Sequence, residues 1–233
     1  MPQQLTFTRG VRDGLPIGLG YLSVSIALGI MAAGKGMPLW GAALFAGISM
    51  TGTGDLVGIN LLAIGGGLIE MICAIAVINA RYMLMSLSLT QKLPEDMPMW
   101  KRLLIAFGNT DEVFAVASTQ VRPLNFPYMM GLMLLPVVGW TGGTIIGEAA
   151  GNLFTGTLIA AMNIAIYAMY IAIIVPAARK SMSVLLVVLT AAGISCLLTY
   201  LPGKPIGDGW IIIIAGVTAS ALGALLFPRK EDT

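Results

Sequence analysis

Histidine is missing altogether, and only two cysteines, Cys73 and Cys196, occur in 233 residues. The first absence excludes histidine metal sites and histidine proton relays, so any proton chemistry falls on carboxylates. The second excludes a disulfide framework. Both cysteines sit inside apolar runs and read as buried small hydrophobes. Charge is scarce as well. Only 10% of residues are Asp, Glu, Lys or Arg, against about 25% in a soluble domain. Such a chain cannot cover a water-facing surface, and its net charge of +2 is too small to suggest a nucleic-acid partner.

What is present is oil. Hydrophobic residues make up 57% of the chain and the mean hydropathy is +0.89. The apolar runs are long, which favours helices over the short alternating strands of a barrel. The expected fold is an all-α integral membrane protein, a polytopic bundle in a lipid bilayer. The expected organisation is a cytoplasmic segment 1–14, one transmembrane domain 15–228 and a cytoplasmic tail 229–233. Arg9 and Arg12 precede the run Leu15 to Ala33. That run is about as long as a full span, so it reads as a membrane helix rather than a cleaved signal.

Eight apolar segments can be marked, at about 15–34, 38–65, 67–90, 102–119, 126–147, 156–178, 181–201 and 209–227. A span needs about 20 mostly apolar residues. Six segments meet this plainly. The second is interrupted by "TGTGD", residues 51–55, and the fourth is short and carries "GNTDE", residues 108–112. Basic residues arbitrate, because cytoplasmic loops are enriched in them. If all eight segments cross, Arg9, Arg12, Arg122, Arg179, Lys180, Arg229 and Lys230 lie inside, against Lys35, Lys92, Lys101, Arg102 and Lys204 outside. If the second and fourth enter and return, Lys92, Lys101 and Arg102 move inside, and only Lys35 and Lys204 stay out. The expectation is therefore about six full crossings plus two broken or re-entrant segments, with both termini cytoplasmic.

Irregular backbone at membrane depth survives only where protein or a wet cavity satisfies it. Paired broken segments are where transporters place their sites. Arg81, in "INARYMLMSLSL", is the one basic residue inside a span and needs a partner. Glu70 lies eleven residues earlier, about 16 Å along the axis and out of reach. Asp111, Glu112 and Asp55 are the better partners. Asp111 and Glu112 differ by about 100° around a helix, so they cannot face one target. One holds Arg81 while the other meets substrate or titrates.

Two short motifs match known patterns in part. "GIMAAGKG", residues 29–36, has phosphate-loop spacing, but Gly36 stands where a magnesium-binding hydroxyl belongs and the stretch closes a helix. "GTGD", residues 52–55, matches the pattern of intramembrane aspartyl proteases, with Asp111 as the second acid. No Tyr-Asp surrounds Asp111, and Pro-Ala-Leu is absent.

The order and spacing of several residues resemble the AzlC family, the large subunit of branched-chain amino acid exporters. They are Phe7, Gly10, Gly14-Leu15-Pro16, Gly20-Tyr21, Asn79-Ala80-Arg81-Tyr82, Ser86-Leu87, Thr110-Asp111-Glu112, Gly131, Trp140, Gly147 and Gly151. Asp55 stands where that family commonly has Gln. The resemblance implies a bacterial inner-membrane exporter of amino acids or similar zwitterions, driven by an ion gradient, without a cofactor and not an enzyme. It also implies a small AzlD-type membrane subunit as partner, for which the Gly143, Gly147, Gly151 ladder offers a docking stripe. The expected substrate-binding residues are Gly52, Thr53, Asp55, Asn79, Asn109 and Asp111. Arg81, Asp111 and Glu112 are expected to form ion pairs or couple transport. The alternatives are the aspartyl protease using Asp55 and Asp111, and a non-transporting subunit of a membrane complex.

Overall fold

The computed structural model describes residues 5–121, 123–151, 157, 164, 171, 174–176, 178–201 and 206–227. Among these every regular element is a helix: α1 (Phe7–Gly34), α2 (Leu39–Ser49), α3 (Gly52–Ala63), α4 (Leu68–Thr90), α5 (Met99–Phe107), α6 (Asp111–Ser118), α7 (Phe126–Gly151), α8 (Met182–Thr199) and α9 (Asp208–Leu226). Five of them, α1, α4, α7, α8 and α9, are long and apolar enough to cross a membrane. The two interrupted segments of the sequence are the helix pairs α2–α3 and α5–α6. The expected segment 156–178 falls mostly outside the described residues, as do Arg122, Lys204 and the tail 229–233.

The outward surface is apolar. Ile72, Leu84, Leu189 and Leu225 are all more than half exposed, and α8 buries no residue at all. Water would not tolerate such faces, whereas hydrocarbon does. This corrects the reading of the cysteines. Cys73 is only partly covered and Cys196 is exposed, because an apolar thiol suits a lipid-facing position as well as a core.

The chain forms two compact units. The first comprises Met1–Leu56 and Asn79–Asn163, the second Val57–Ile78 and Ile164–Thr233. The axis of the first unit is the α1–α7 pair. These helices run parallel: Gly10 faces Tyr128, Gly18 faces Leu135, and Gly29 faces Thr144 and Glu148. From the other side Gly131, Gly139, Gly143 and Gly147 meet the backbone of Phe7, Gly18, Leu22 and Ile26. A Cβ at any of these positions would press into main chain, so glycine permits the close approach. The Gly143, Gly147, Gly151 ladder is thus consumed inside the chain. It is not an outward stripe for a partner. Pro136 cannot donate to the carbonyl of Leu132, and that carbonyl lies against Gly14. Ser25 closes the seam by donating to the carbonyl of Gly139 at 3.1 Å.

Both ends of α1 are locally encoded. The Thr6 hydroxyl accepts from the Arg9 N–H at 3.3 Å, as an N-cap should. At the other end Gly36 has φ +74°. The Met37 and Gly36 N–H groups bond to Ala32 and Ala33, the Schellman arrangement that ends a helix. "GIMAAGKG" is therefore a helix stop.

The α5–α6 pair enters and returns. Its start lies at the foot of α7, where Trp100 and Phe126 meet edge to face, centroids 5.5 Å apart. Its end lies there too. Lys92 Nζ reaches the carbonyls of Ser118 and, at 3.1 Å, Gln120, and the Lys92 carbonyl accepts from Leu124 N–H at 2.9 Å. Leu5, Leu89, Ile105, Val113, Tyr128 and Leu132 share one buried cluster beneath the pair. Arg9, Lys92, Lys101 and Arg102 all gather at this end.

The α2–α3 pair breaks at Met50, whose φ of +46° is left-handed. A non-glycine residue there costs about 1–2 kcal/mol. Met50 is only 3% exposed, and burying its side chain gains about 1.5–3 kcal/mol. Packing thus offsets the strain and fixes the break. In the second unit α8 packs on α9 through Gly223 against Val187.

Candidate functional site

The site is where the two breaks face the α1–α7 pair. Tyr21 and Trp140 each stand fourteen residues into their helices, about 21 Å along the axis. That is the middle of both helices, which are 28 and 26 residues long. The two rings touch edge to face, centroids 5.5 Å apart.

At the second break the chain leaves helical geometry over residues 108–110. A Cβ on Gly108 would lie 2.5 Å from Met133 Sδ, so a larger residue at the tip would have to displace the Met133 side chain. Asn109 and Thr110 are buried, at 2% and 3% exposure. Asn109 donates to Ser86 Oγ at 3.2 Å. Asp111 opens α6, and its Oδ2 lies 2.7 Å from Arg81 Nη1, with both side chains nearly half exposed. Glu112, the next residue, turns to α1 and accepts from the Tyr21 hydroxyl. The adjacent acids therefore point apart, as 100° of helical rotation requires. Each is at a helix N-terminus, where the dipole favours an anion.

At the first break Asp55 lies in the opening turn of α3 and is fully buried. Its Oδ1 accepts from the Ser49 hydroxyl and its Oδ2 from Trp140 Nε1 at 2.8 Å. Gly52 and Thr53 are half-buried beside it. The polar stripe Asn79, Tyr82 and Ser86 on α4, spaced three and four apart, occupies one helix face. Tyr82 interacts with Thr51, and Arg81 donates to the Tyr82 hydroxyl at 3.4 Å.

The structure thus brings Arg81 and Asp111 together, with Asn109 adjacent in the chain to the break. It places Glu112 on Tyr21 and Asp55 on Ser49 and Trp140. No hydrogen bond joins Asp55 to Asp111 among the described residues, so the paired-acid geometry of an aspartyl protease is not formed. Sequence reasoning did not single out Ser49, Thr51, Thr110, Tyr21, Tyr82, Ser86 and Trp140 as site residues. The one available signal was the polar stripe of α4 at helical spacing in an otherwise apolar run. Among the described residues the buried Asn79 Oδ1 and Asn109 Oδ1 have no hydrogen-bond partner, while Thr110 interacts with Tyr21. Unsatisfied buried acceptors cost about 1–3 kcal/mol each, which makes them ready for a donor.

A family model described as AzlC protein matches residues 16–154, more than half of the chain and all of the site described above. The chain belongs to the AzlC family. It is 28% identical over 232 residues to Inner membrane protein YgaZ of Escherichia coli strain K12, covering 97% of this chain and 92% of that protein. It is 26% identical over 157 residues to an uncharacterized membrane protein of Helicobacter pylori strain J99, covering 64% of this chain and 68% of that one. No solved structure matches. This AzlC-family chain is a helical membrane protein, and the kinship speaks for transport rather than proteolysis.

Proposed function

We propose that this AzlC-family protein exports a small zwitterionic solute of the amino acid class across the bacterial inner membrane, with both termini in the cytoplasm. The observation that carries the reading is the Arg81–Asp111 pair, nearly half exposed, on helices of a membrane protein and beside an unwound tip. An ion pair there is expensive unless wetted or used. A zwitterion supplies one carboxylate and one ammonium. Arg81 matches the first through its fork of donors. Asp111, with the unpartnered Oδ1 of Asn109, matches the second. A bound amino acid exchanges one internal ion pair for two intermolecular ones.

A small AzlD-type membrane subunit completes the proposal. Its support is the family resemblance, not a surface of this chain. The test is transport in inverted vesicles against an amino acid panel, with the chain expressed alone and together with its small membrane partner. Saturable movement of one or a few amino acids is expected. Failure of every amino acid under both conditions refutes the reading.

A further inference from the structure

Asp55 differs from every other acid of the first unit in what surrounds it. It is wholly buried, beside the Met50 break. Its two oxygens are engaged by neutral donors only, Ser49 and Trp140. The titratable and charged groups on the elements around it are otherwise committed. Tyr21 of α1 donates its hydroxyl hydrogen bond to Glu112 of α6, Arg81 of α4 pairs with Asp111, and Tyr82 of α4 lies on Thr51. None of them hydrogen-bonds or ion-pairs with Asp55.

We infer that Asp55 is the proton-carrying group of this protein, taking up and releasing on Oδ1 the proton that drives transport. The inference rests on the transporter reading and adds the coupling ion to it. The two donors differ in what they allow. Trp140 Nε1–H donates only, so it holds Oδ2 as an acceptor in both states. The Ser49 hydroxyl rotates. It donates to Oδ1 of the carboxylate, and accepts from Oδ1–H once the acid is protonated. Uptake forms the Oδ1–H bond as an O–H bond of hydronium from the adjoining aqueous phase breaks and leaves water, and release reverses the step. The N-terminus of α3 supports the anion and burial supports the neutral acid, so the two forms are balanced without a cation. A sodium ion would need several oxygen ligands around it. An indole N–H directed at Oδ2 occupies a place such a cage requires, whereas a proton needs no cage. In the state seen here the site is shut. Loosening at the left-handed Met50 opens it to water.

The edge-to-face contact of Trp140 with Tyr21 continues to Glu112 beside Asp111. The proton site at the first break is thereby linked by side chains to the proposed solute site at the second.

Two measurements on the full chain in lipid test the inference. Infrared difference spectra over roughly pH 5 to 9, a range spanning buried-carboxyl titrations, should show a protonated-carboxyl band. That band should vanish in Asp55→Asn and shift in frequency in Trp140→Phe, which keeps a ring but removes the donor on Oδ2. In vesicles, a pH gradient alone should accumulate the amino acid several-fold in the wild type. The ratio should fall to one in Asp55→Asn, and a sodium gradient alone should do nothing. A band that persists in Asp55→Asn, or accumulation driven by sodium and indifferent to pH, overturns the inference. If the wild type moves no amino acid, the transporter reading fails and coupling with it. The infrared titration then still reports whether Asp55 binds a proton.

Discussion

Arg81→Ala removes the cation of α4 and takes from Asp111 its ion-pair partner. The loss depends on what lies against the exposed half of the pair. At 2.7 Å, with 47% and 42% of the two side chains exposed, the pair is neither a surface bridge nor a buried one. Facing water, such a pair contributes about 0.2–1 kcal/mol. Facing hydrocarbon, removal of one partner costs about 3–5 kcal/mol. In the proposed solute site the exposed side of the pair faces water while α4 and α6 desolvate the other, so the cost falls between. We expect Arg81→Ala to destabilise by about 1–2 kcal/mol. Asp111→Asn keeps the shape but removes the charge and should cost about as much. The double variant should recover part of the sum, with a coupling of about 1–2 kcal/mol. The measurement is denaturant unfolding in a mild detergent for all four proteins, with vesicle transport alongside. Both single variants should lose transport. Coupling of 3–5 kcal/mol would show a dry structural pair. Normal transport in Arg81→Ala would refute its role in holding the solute carboxylate.

Three further outcomes follow from other contacts. Gly147→Leu should destabilise by at least about 1–3 kcal/mol, since its Cβ would enter the backbone of Ile26; the folded fraction in detergent reports it. Glu70 accepts from the N–H groups of Gly209 and Trp210 at 2.8 and 3.2 Å, so Glu70→Ala should cost about 0.5–2 kcal/mol, as loss of a helix cap does, with Glu70→Gln milder in thermal unfolding. A cysteine at Gln91, in a chain lacking Cys73 and Cys196, should resist membrane-impermeant thiol reagents in intact cells, and ready labelling from outside would remove this end from the cytoplasm.

The helix breaks were legible because they break two rules at once. Glycine and an acid interrupt an apolar run at 51–55 and again at 108–112, and physics allows this in few places. Partners were less legible. Arg81 had three acids as options, and sequence spacing could only remove Glu70. Choosing Asp111 needed the depth of the α5–α6 tip, which Gly108 sets by admitting Met133. The glycine ladder was visible, but its partner was not. A ladder is the same string whether it meets α1 or another chain, and only the matching Gly10, Gly14, Gly18 and Gly29 show where it goes. Glu70 was noticed and dismissed as too far from Arg81. Its target, the uncapped start of α9, lies 139 residues on, a separation no periodicity spans.

The chain has few acids in its apolar region, and their partners sort them. Glu70 receives backbone N–H groups, a fixed structural load that a carboxylate meets without changing state. Asp111 receives a guanidinium, which stays charged at any working pH. Exchange of that partner for a solute ammonium would keep a cation against it. Glu112 receives a phenol at an exposed edge, where water competes. Asp55 alone combines full burial with neutral donors, one of which can reverse. A protein that needed only shape at this position could use an amide, which offers an oxygen to Trp140 and a nitrogen to Ser49. Retaining a carboxylate where an amide would satisfy the same hydrogen bonds, and where burial disfavours its charge, gives it a property the amide lacks. That property is the ability to gain and lose a proton, and it is the reason Asp55→Asn separates coupling from packing.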